Sequence, residues 1–203
     1  MNNQNTRNTQ ITQSSQNNQG LHFLPQYGHY RHLRVYQVAE ALYDLTYYFC
    51  KHFLSAHGDR TVDQMIQAAR SGKQNIAEGN QAATTSSETE IKLTNVAKAS
   101  LEELLADFED YLRTRSLQQW DSRHPRFASM RQWTKSDDFI SNHATKASYM
   151  SDEELANLCI TLCHQSIYML TRLIRTQQER FITQGGDKGM YALCTHRLSQ
   201  SAR

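Results

Sequence analysis

Apolar positions recur with a helical period in four stretches of this chain. The first runs from Tyr27 to Leu54 and sets Val38, Ala41, Leu42, Leu45, Tyr48, Phe49 and Phe53 on one broad stripe, ended by Ser55-Ala56-His57-Gly58-Asp59. The second begins at Thr61, which forms a capping-box pattern with Gln64, and its face is Val62, Met65, Ile66, Ala69, Gly72 or Lys73, and Ile76. Gly79 is placed to take the left-handed conformation that closes this helix. A polar loop, Gln81 to Ser86, leads to the third and clearest helix. There Ser87 with Glu90 repeats the box, and Ile91, Thr94, Ala97, Leu101, Leu104, Leu105, Phe108, Tyr111 and Leu112 form the stripe. The fourth starts at a third box, Ser151 with Glu154. It continues through Leu155, Leu158, Cys159, Leu162, Ser166, Met169, Leu170 and Leu173, until Gly185-Gly186 stops it.

Between the third and fourth helices lies a longer basic connection, residues 118–150, with Trp120, Phe127 and Trp133. Partial periodicity over Arg126–Lys135 and Asp138–Tyr149 predicts one or two short helices in it. Short loops make the first three helices antiparallel neighbours, and one long crossover returns the fourth. The pattern predicts an all-α, antiparallel up-down four-helix bundle with a long connection between helices 3 and 4 and a short C-terminal extension. Two prolines, Pro25 and Pro125, bracket almost a hundred residues without that helix breaker, which agrees.

Composition then divides the chain. Its mean hydropathy is -0.71, and much of that polarity lies in the leading Asn, Gln, Thr and Ser residues, where Ile11 is the aliphatic exception. Such a segment buries too little apolar surface to offset its ordering entropy, so residues 1–22 are expected to be a disordered tail. It has no apolar core and Arg7 as its charge, so it does not read as a signal peptide. The bundle is expected over residues 23–183, and an extension over 184–203. No apolar run approaches the roughly 18–20 residues of a membrane span, so a soluble bacterial cytoplasmic protein with no membrane contact is expected. Four cysteines (Cys50, Cys159, Cys163, Cys194) show no secreted-framework spacing, and Cys159 and Cys163 read as reduced core thiols one turn apart.

The net charge of +2 conceals strong asymmetry. Residues 86–112 carry seven acids against Lys92 and Lys98, a net of -5, whereas residues 113–149 and 172–203 each carry +4. Acidic and basic faces of this kind suit self-assembly, a polyanion partner, or ordinary solvated surfaces.

Catalytic chemistry finds little footing. Cys159 and Cys163 with His164 lack the further ligands of a closed zinc shell, and His164 points about 100° from Cys163 around the helix. The acidic third helix has no histidine for a di-iron site. The Gly185-Gly186-Asp187-Lys188-Gly189 run follows a helix rather than a strand, so it is not a phosphate loop. No catalytic residue, metal or cofactor is expected. Basic and aromatic residues do interleave in two places, around Tyr30, Arg31, Arg34 and around Arg113, Arg115, Trp120, Arg123, Arg126, Arg131, Trp133. Arg grips phosphate and rings stack on unpaired bases, although both residue types also make ordinary protein interfaces. In the second helix Arg70 and Lys73 sit among Ala68, Ala69, Gly72 and Ala77, suited either to a closely approaching partner or to packing inside the bundle.

One segment is more specific. Arg60-Thr-Val-Asp-Gln-Met-Ile-Gln-Ala-Ala-Arg-Ser-Gly-Lys-Gln-Asn-Ile-Ala-Glu-Gly79, with its Asn75, Glu78, Gly79 core, and Ala97-Lys-Ala-Ser-Leu-Glu-Glu-Leu-Leu105 resemble a bacterial four-helix-bundle family. Its members include proteins encoded in intervening sequences of large-subunit ribosomal RNA genes and the accessory protein of diversity-generating retroelements. Phe181-Ile-Thr-Gln-Gly-Gly-Asp-Lys-Gly-Met-Tyr191 resembles the suffix extension of a subset of them. The resemblance covers most of residues 30–112 and 152–191. It implies a non-catalytic homo-oligomer, a pentamer in the best-described members, with a basic surface or channel that in retroelement members engages RNA and a reverse transcriptase. The long basic insert, the Asn/Gln-rich leader and the acidic third helix depart from that pattern. The reading is therefore an accessory scaffold binding RNA through Arg31, Arg34, Arg70, Lys73, Arg113, Arg115, Arg123, Arg126 and Arg131, with Tyr30, Trp120 and Trp133 as stacking platforms. The alternative is a protein–protein adaptor or structural bundle without nucleic-acid binding.

Overall fold

Among the described residues six α-helices follow one another: α1 (Arg34–Phe53), α2 (Arg60–Ala82), α3 (Ser87–Thr114), α4 (Phe127–Trp133), α5 (Asp137–Ala147) and α6 (Asp152–Thr183), with a short 3-10 turn at Tyr30–His32 before them. A computed structural model describes residues 29–54 and 60–186. The expected tail over 1–22, the suffix beyond Gly186, Cys194 and the Ser55–Asp59 stop lie outside the described residues.

The four long helices form the up-down bundle. α2 packs on α1 and α3, and α6 packs on α3 and α1. Side-chain bonds fix direction: at one end Tyr111 of α3 donates to Asp152 of α6 (3.0 Å), and at the other Gln177 of α6 donates to Glu90 of α3 (3.0 Å). α3 and α6 are therefore antiparallel. Leu42, Leu45 and Phe49 of α1, Met65 and Ile76 of α2, Leu101, Leu104 and Phe108 of α3 and Leu155, Leu158 and Leu162 of α6 make one continuous core. Removing such surface from water is the main favourable contribution to folding. Cys159 and Cys163 are free thiols inside that core, where Cys50 is also buried, and burial pushes the Cys159 and Cys163 thiols upward. Among the described residues no group of three His, Cys, Asp or Glu side chains is placed to hold a metal ion, and no helix is long and apolar enough to cross a membrane.

Helix ends show where local rules held. Ser151 and Glu154 form the full capping box of α6, and Gly185 and Gly186 both take positive φ just past its end. Four expected ends differ. α1 begins at Arg34, after the 3-10 turn and an extended Leu33, rather than at Tyr27. α2 begins at Arg60, so Thr61 lies in its first turn rather than at its cap. At α3 the cap is Ser86, whose hydroxyl accepts from the Thr89 amide at 3.1 Å, one residue before the expected Ser87. Glu90 is thereby released from capping and turns into the bundle. α2 also runs through Gly79 to Ala82. A Cβ at Gly79 would stand 3.3 Å from Thr94 Oγ1 and 3.4 Å from the Glu90 carbonyl, so this glycine serves close helix approach, not termination. Among the described residues one left-handed residue is not a glycine: Ser116 has φ 55, and Leu117 N–H reaches the Leu112 carbonyl at 2.9 Å in a Schellman closure of α3.

Gly72 is the tighter point of the α2–α3 seam. A Cβ there would fall 2.5 Å from Cδ2 and 2.9 Å from Cγ of the fully buried Leu101. Gly72→Ala should gain about 1 kcal/mol in helix propensity yet lose about 1–3 kcal/mol to overpacking. The expected result in urea denaturation is net destabilisation in the native background and none when Gly72→Ala is compared within Leu101→Ala.

The connection folds back as α4 and α5, close to the short helices expected at Arg126–Lys135 and Asp138–Tyr149. α5 rests on α1, burying Phe139 and Ala147.

Candidate nucleic-acid interface

The folding back of the connection creates a cleft of about 770 Å³ between α6, the start of α1, α4 and residues 119–122. Its construction begins with Asn157, a buried amide on α6. Asn157 Oδ1 accepts from the Trp120 amide (2.7 Å), while Nδ2 donates to the carbonyls of Gln118 and Glu153 (both 2.8 Å). The Glu153 carboxylate takes the Trp120 indole N–H (3.2 Å) and the Gln118 amide (3.2 Å). One wall is thus pinned to α6. The other is held by Arg34, which donates to the carbonyls of Thr134 (3.1 Å) and Ser136 (3.0 Å) and lies 3.7 Å from Asp137. Gln165 of α6 donates to Thr134 Oγ1 (2.7 Å), closing the frame.

The floor is apolar, with Val38 and Ile160 buried and Phe127 and Met169 partly so. The rim is cationic: Arg34, Arg131, Lys135 and, when protonated, His164. Asp121 is the acid that lines it among the described residues, and the guanidinium of Arg123 bonds that carboxylate, holding it below the usual carboxylate range. Positive charge is therefore left uncompensated beside an apolar surface. Such a site suits an anion with a hydrophobic body.

The residues singled out in the sequence fall into three groups. Arg34, Arg131 and Trp120 line the cleft. Of these Arg131 is exposed, its guanidinium 5.5 Å from the centre of the Phe127 ring. Trp120 is 8% exposed and stacks on His124 with centroids 4.0 Å apart, so it is part of the wall. A second group borders the connection. Arg123 pairs with Asp121 and Arg126 with Glu154. Trp133 donates its indole N–H to Asp138 (2.8 Å) and its ring lies under the ammonium of Lys146 (4.6 Å); hydrogen bonds from Lys146 (2.7 Å), Trp133 and Asn142 lower the Asp138 carboxyl to about 2. The third group lies elsewhere. Arg113 pairs with Asp110 (2.6 Å), Arg115 lies 3.9 Å over the Tyr111 ring, Lys73 lies 4.3 Å over Tyr43, and Arg70 is exposed on α2. Tyr30 meets Tyr36 edge-on at 4.8 Å, with Arg31 beside it.

The Asn75–Gly79 core serves helix packing. Asn75 donates to the carbonyl (2.9 Å) and hydroxyl (3.2 Å) of Ser71, whose Oγ meets Ser100 Oγ of α3 at 2.9 Å. Glu78 is exposed and accepts from Gln74 (2.8 Å).

Sequence reasoning missed Lys135, Gln165 and Tyr168 of the cleft. Tyr168 is 62% exposed and falls off the apolar stripe of α6, with Arg172 5.9 Å over its ring. An aromatic residue spaced one turn from both His164 and Arg172, on the polar side of an otherwise regular stripe, was the available signal.

On the opposite side of the bundle, between α2 and α3, Asp63, Glu103 and Asp107 line an acidic groove with Arg60. Burial, Asp110 and Glu103 raise the Asp107 carboxyl above its ordinary value.

Residues 31–124 match the family model described as 23S rRNA-intervening sequence protein. The match takes in α1 to α3 and the connection as far as His124, so α4 to α6 lie beyond it. No curated protein and no solved structure matches.

Proposed function

We propose, from the match of residues 31–124 to the 23S rRNA-intervening sequence protein family model, that this chain is a non-catalytic cytoplasmic scaffold that binds RNA through the cleft beside α6. One observation carries the reading: Arg131 and Lys135 rim an apolar cleft whose single acid, among the described residues, is already paired with Arg123. Phosphate neutralisation by such cations supplies affinity with little sequence selectivity. Arg123, Arg126 and Arg113 are each paired with a carboxylate, so in this reading they, with Arg115, Arg31, Arg70 and Lys73, are secondary contributors. A homo-oligomer, a pentameric ring in this reading, multiplies weak contacts by avidity. The acidic groove on the α2–α3 side and the basic cleft on the α1–α6 side are opposite in charge. A reverse transcriptase is a second macromolecular partner consistent with the family resemblance.

The same pair of opposed faces supports the adaptor reading, in which protein alone occupies the cleft. Light scattering and fluorescence anisotropy with nuclease-treated full-length protein separate the two. Arg131→Glu/Lys135→Glu should weaken single-stranded RNA binding at least about 10-fold at low salt and reduce the log–log salt slope by about 1.4, at ~0.7 per lost phosphate contact. Unchanged affinity and slope in the double variant would remove the cleft from RNA binding. A particle that ignores RNA at every salt concentration, and dissociates as salt rises, establishes the adaptor instead.

A further inference from the structure

We infer that the cleft is a pocket for one unpaired nucleotide, the base lying against the apolar floor and Tyr168, the phosphate held by Arg131 and Lys135; this rests on the RNA-binding reading above. Size is the first argument. At about 770 Å³ the cleft lies within the roughly 300–1,000 Å³ of small-molecule sites, and it is far larger than a phosphate contact needs. A duplex presents only its phosphates to such a depression, whereas a splayed base fills it.

Segregated chemistry is the second. Arg131 and the residue one turn on, Lys135, stand on the α4 side, while Ile160, Met169 and Tyr168 lie on the α6 side. An anion joined to a planar apolar ring meets both at once. Gln165 commits one amide hydrogen to Thr134, which leaves its carbonyl oxygen and second hydrogen for a base edge.

The third argument is Tyr168 itself. A tyrosine 62% exposed at the cleft mouth offers a stacking surface that costs no repacking to use, and Arg172 over its ring continues a cationic path along α6. Trp120, the ring expected to stack from sequence, is sealed into the wall and sets the shape of the pocket instead.

The nucleotide could arrive free or as part of a strand, and the test separates these sources. Anisotropy is measured on the full chain with a labelled RNA hairpin carrying an unpaired loop and with a blunt duplex of equal charge, with AMP as competitor. The hairpin is expected to bind about 10-fold more tightly than the duplex. Tyr168→Ala should erase that difference by weakening the hairpin alone, with the salt slope unchanged, and Tyr168→Phe should restore it. Competition by millimolar AMP adds the free nucleotide as a ligand; its absence, with the Tyr168 effect intact, assigns the pocket to strand residues. Equal binding of hairpin and duplex, or equal weakening of both by Tyr168→Ala, overturns the pocket while leaving RNA binding in place. If neither RNA binds, the scaffold reading falls with it. Because Tyr168 is exposed, loss of fold does not confuse the result, and circular dichroism of the variant checks this.

Discussion

Arg180→Met is expected to destabilise the bundle by about 3–5 kcal/mol, among the largest effects of any single substitution here. Arg180 on α6 pairs with Glu90 on α3, a carboxylate with 6% side-chain exposure. Gln177 donates to the same carboxylate and to Thr94 Oγ1 at 3.1 Å, and Thr94 returns its own proton to the Glu90 carbonyl at 2.8 Å. Methionine fills much of the arginine volume, so the loss is mainly electrostatic. Glu90 would keep its burial and lose its cation, and a buried unpaired carboxylate is costly. Adding Glu90→Leu removes that orphaned charge, and the double variant is expected to be more stable than Arg180→Met alone. Urea denaturation followed by circular dichroism reads all three. A double variant as weak as the sum of its parts would show that Glu90 and Arg180 contribute separately.

That ion pair also shows what the sequence could and could not disclose. Ser87 with Glu90 satisfies the local capping pattern, but Ser86 satisfies the hydroxyl half equally well, and Glu90 has a partner ninety positions away. Local spacing cannot weigh a tertiary competitor. Gly79 failed for a related reason: glycine at a helix end and glycine at a close helix crossing look alike until Thr94 is seen beside it. The end of α3 was hidden in the opposite sense, since the left-handed residue there is Ser116. By contrast, the bundle helices, the box at Ser151 and the stop at Gly185-Gly186 rest on short-range physics, and these were legible. So was the helical character of the connection.

The cleft divides along the same line. Arg34 and Arg131 were readable as basic residues near aromatics, but not that Arg34 is committed to the Thr134 and Ser136 carbonyls a hundred residues away. Trp120 and Trp133 were readable as rings on a basic segment, whereas their burial depends on where the connection folds back. Tyr168 stood on the polar side of a long amphipathic helix, where one exposed ring is unremarkable. It became informative once α4 was placed opposite it.

The apolar counterpart of the Arg180 effect is Phe49→Ala, expected to cost about 3–5 kcal/mol. Phe49 is fully buried on α1 and meets three rings: Phe53 at 5.5 Å, Phe108 at 5.1 Å and Tyr111 at 4.6 Å, the last two edge-on. The Phe108 and Tyr111 contacts join α1 to its diagonal neighbour α3, so the cavity left by alanine opens between the helices near the Tyr111–Asp152 end of the bundle. Edge-to-face pairs add about 0.5–1.5 kcal/mol beyond burial, which places this site toward the upper part of the range. Tyr111 supplies an internal reporter. Burial and its bond to Asp152 push its hydroxyl up to about 12. A folded value above the unfolded one means stability that is present below pH ~10 and lost as pH rises toward ~12. If the Phe49 cavity admits water, the Tyr111 titration should move down toward the unperturbed value while the Asp152 bond persists. Spectrophotometric titration and urea denaturation of Phe49→Ala measure the two effects independently. A stability loss under about 1 kcal/mol would mean that the neighbouring rings close the cavity, and Tyr111 should then titrate as in the native chain.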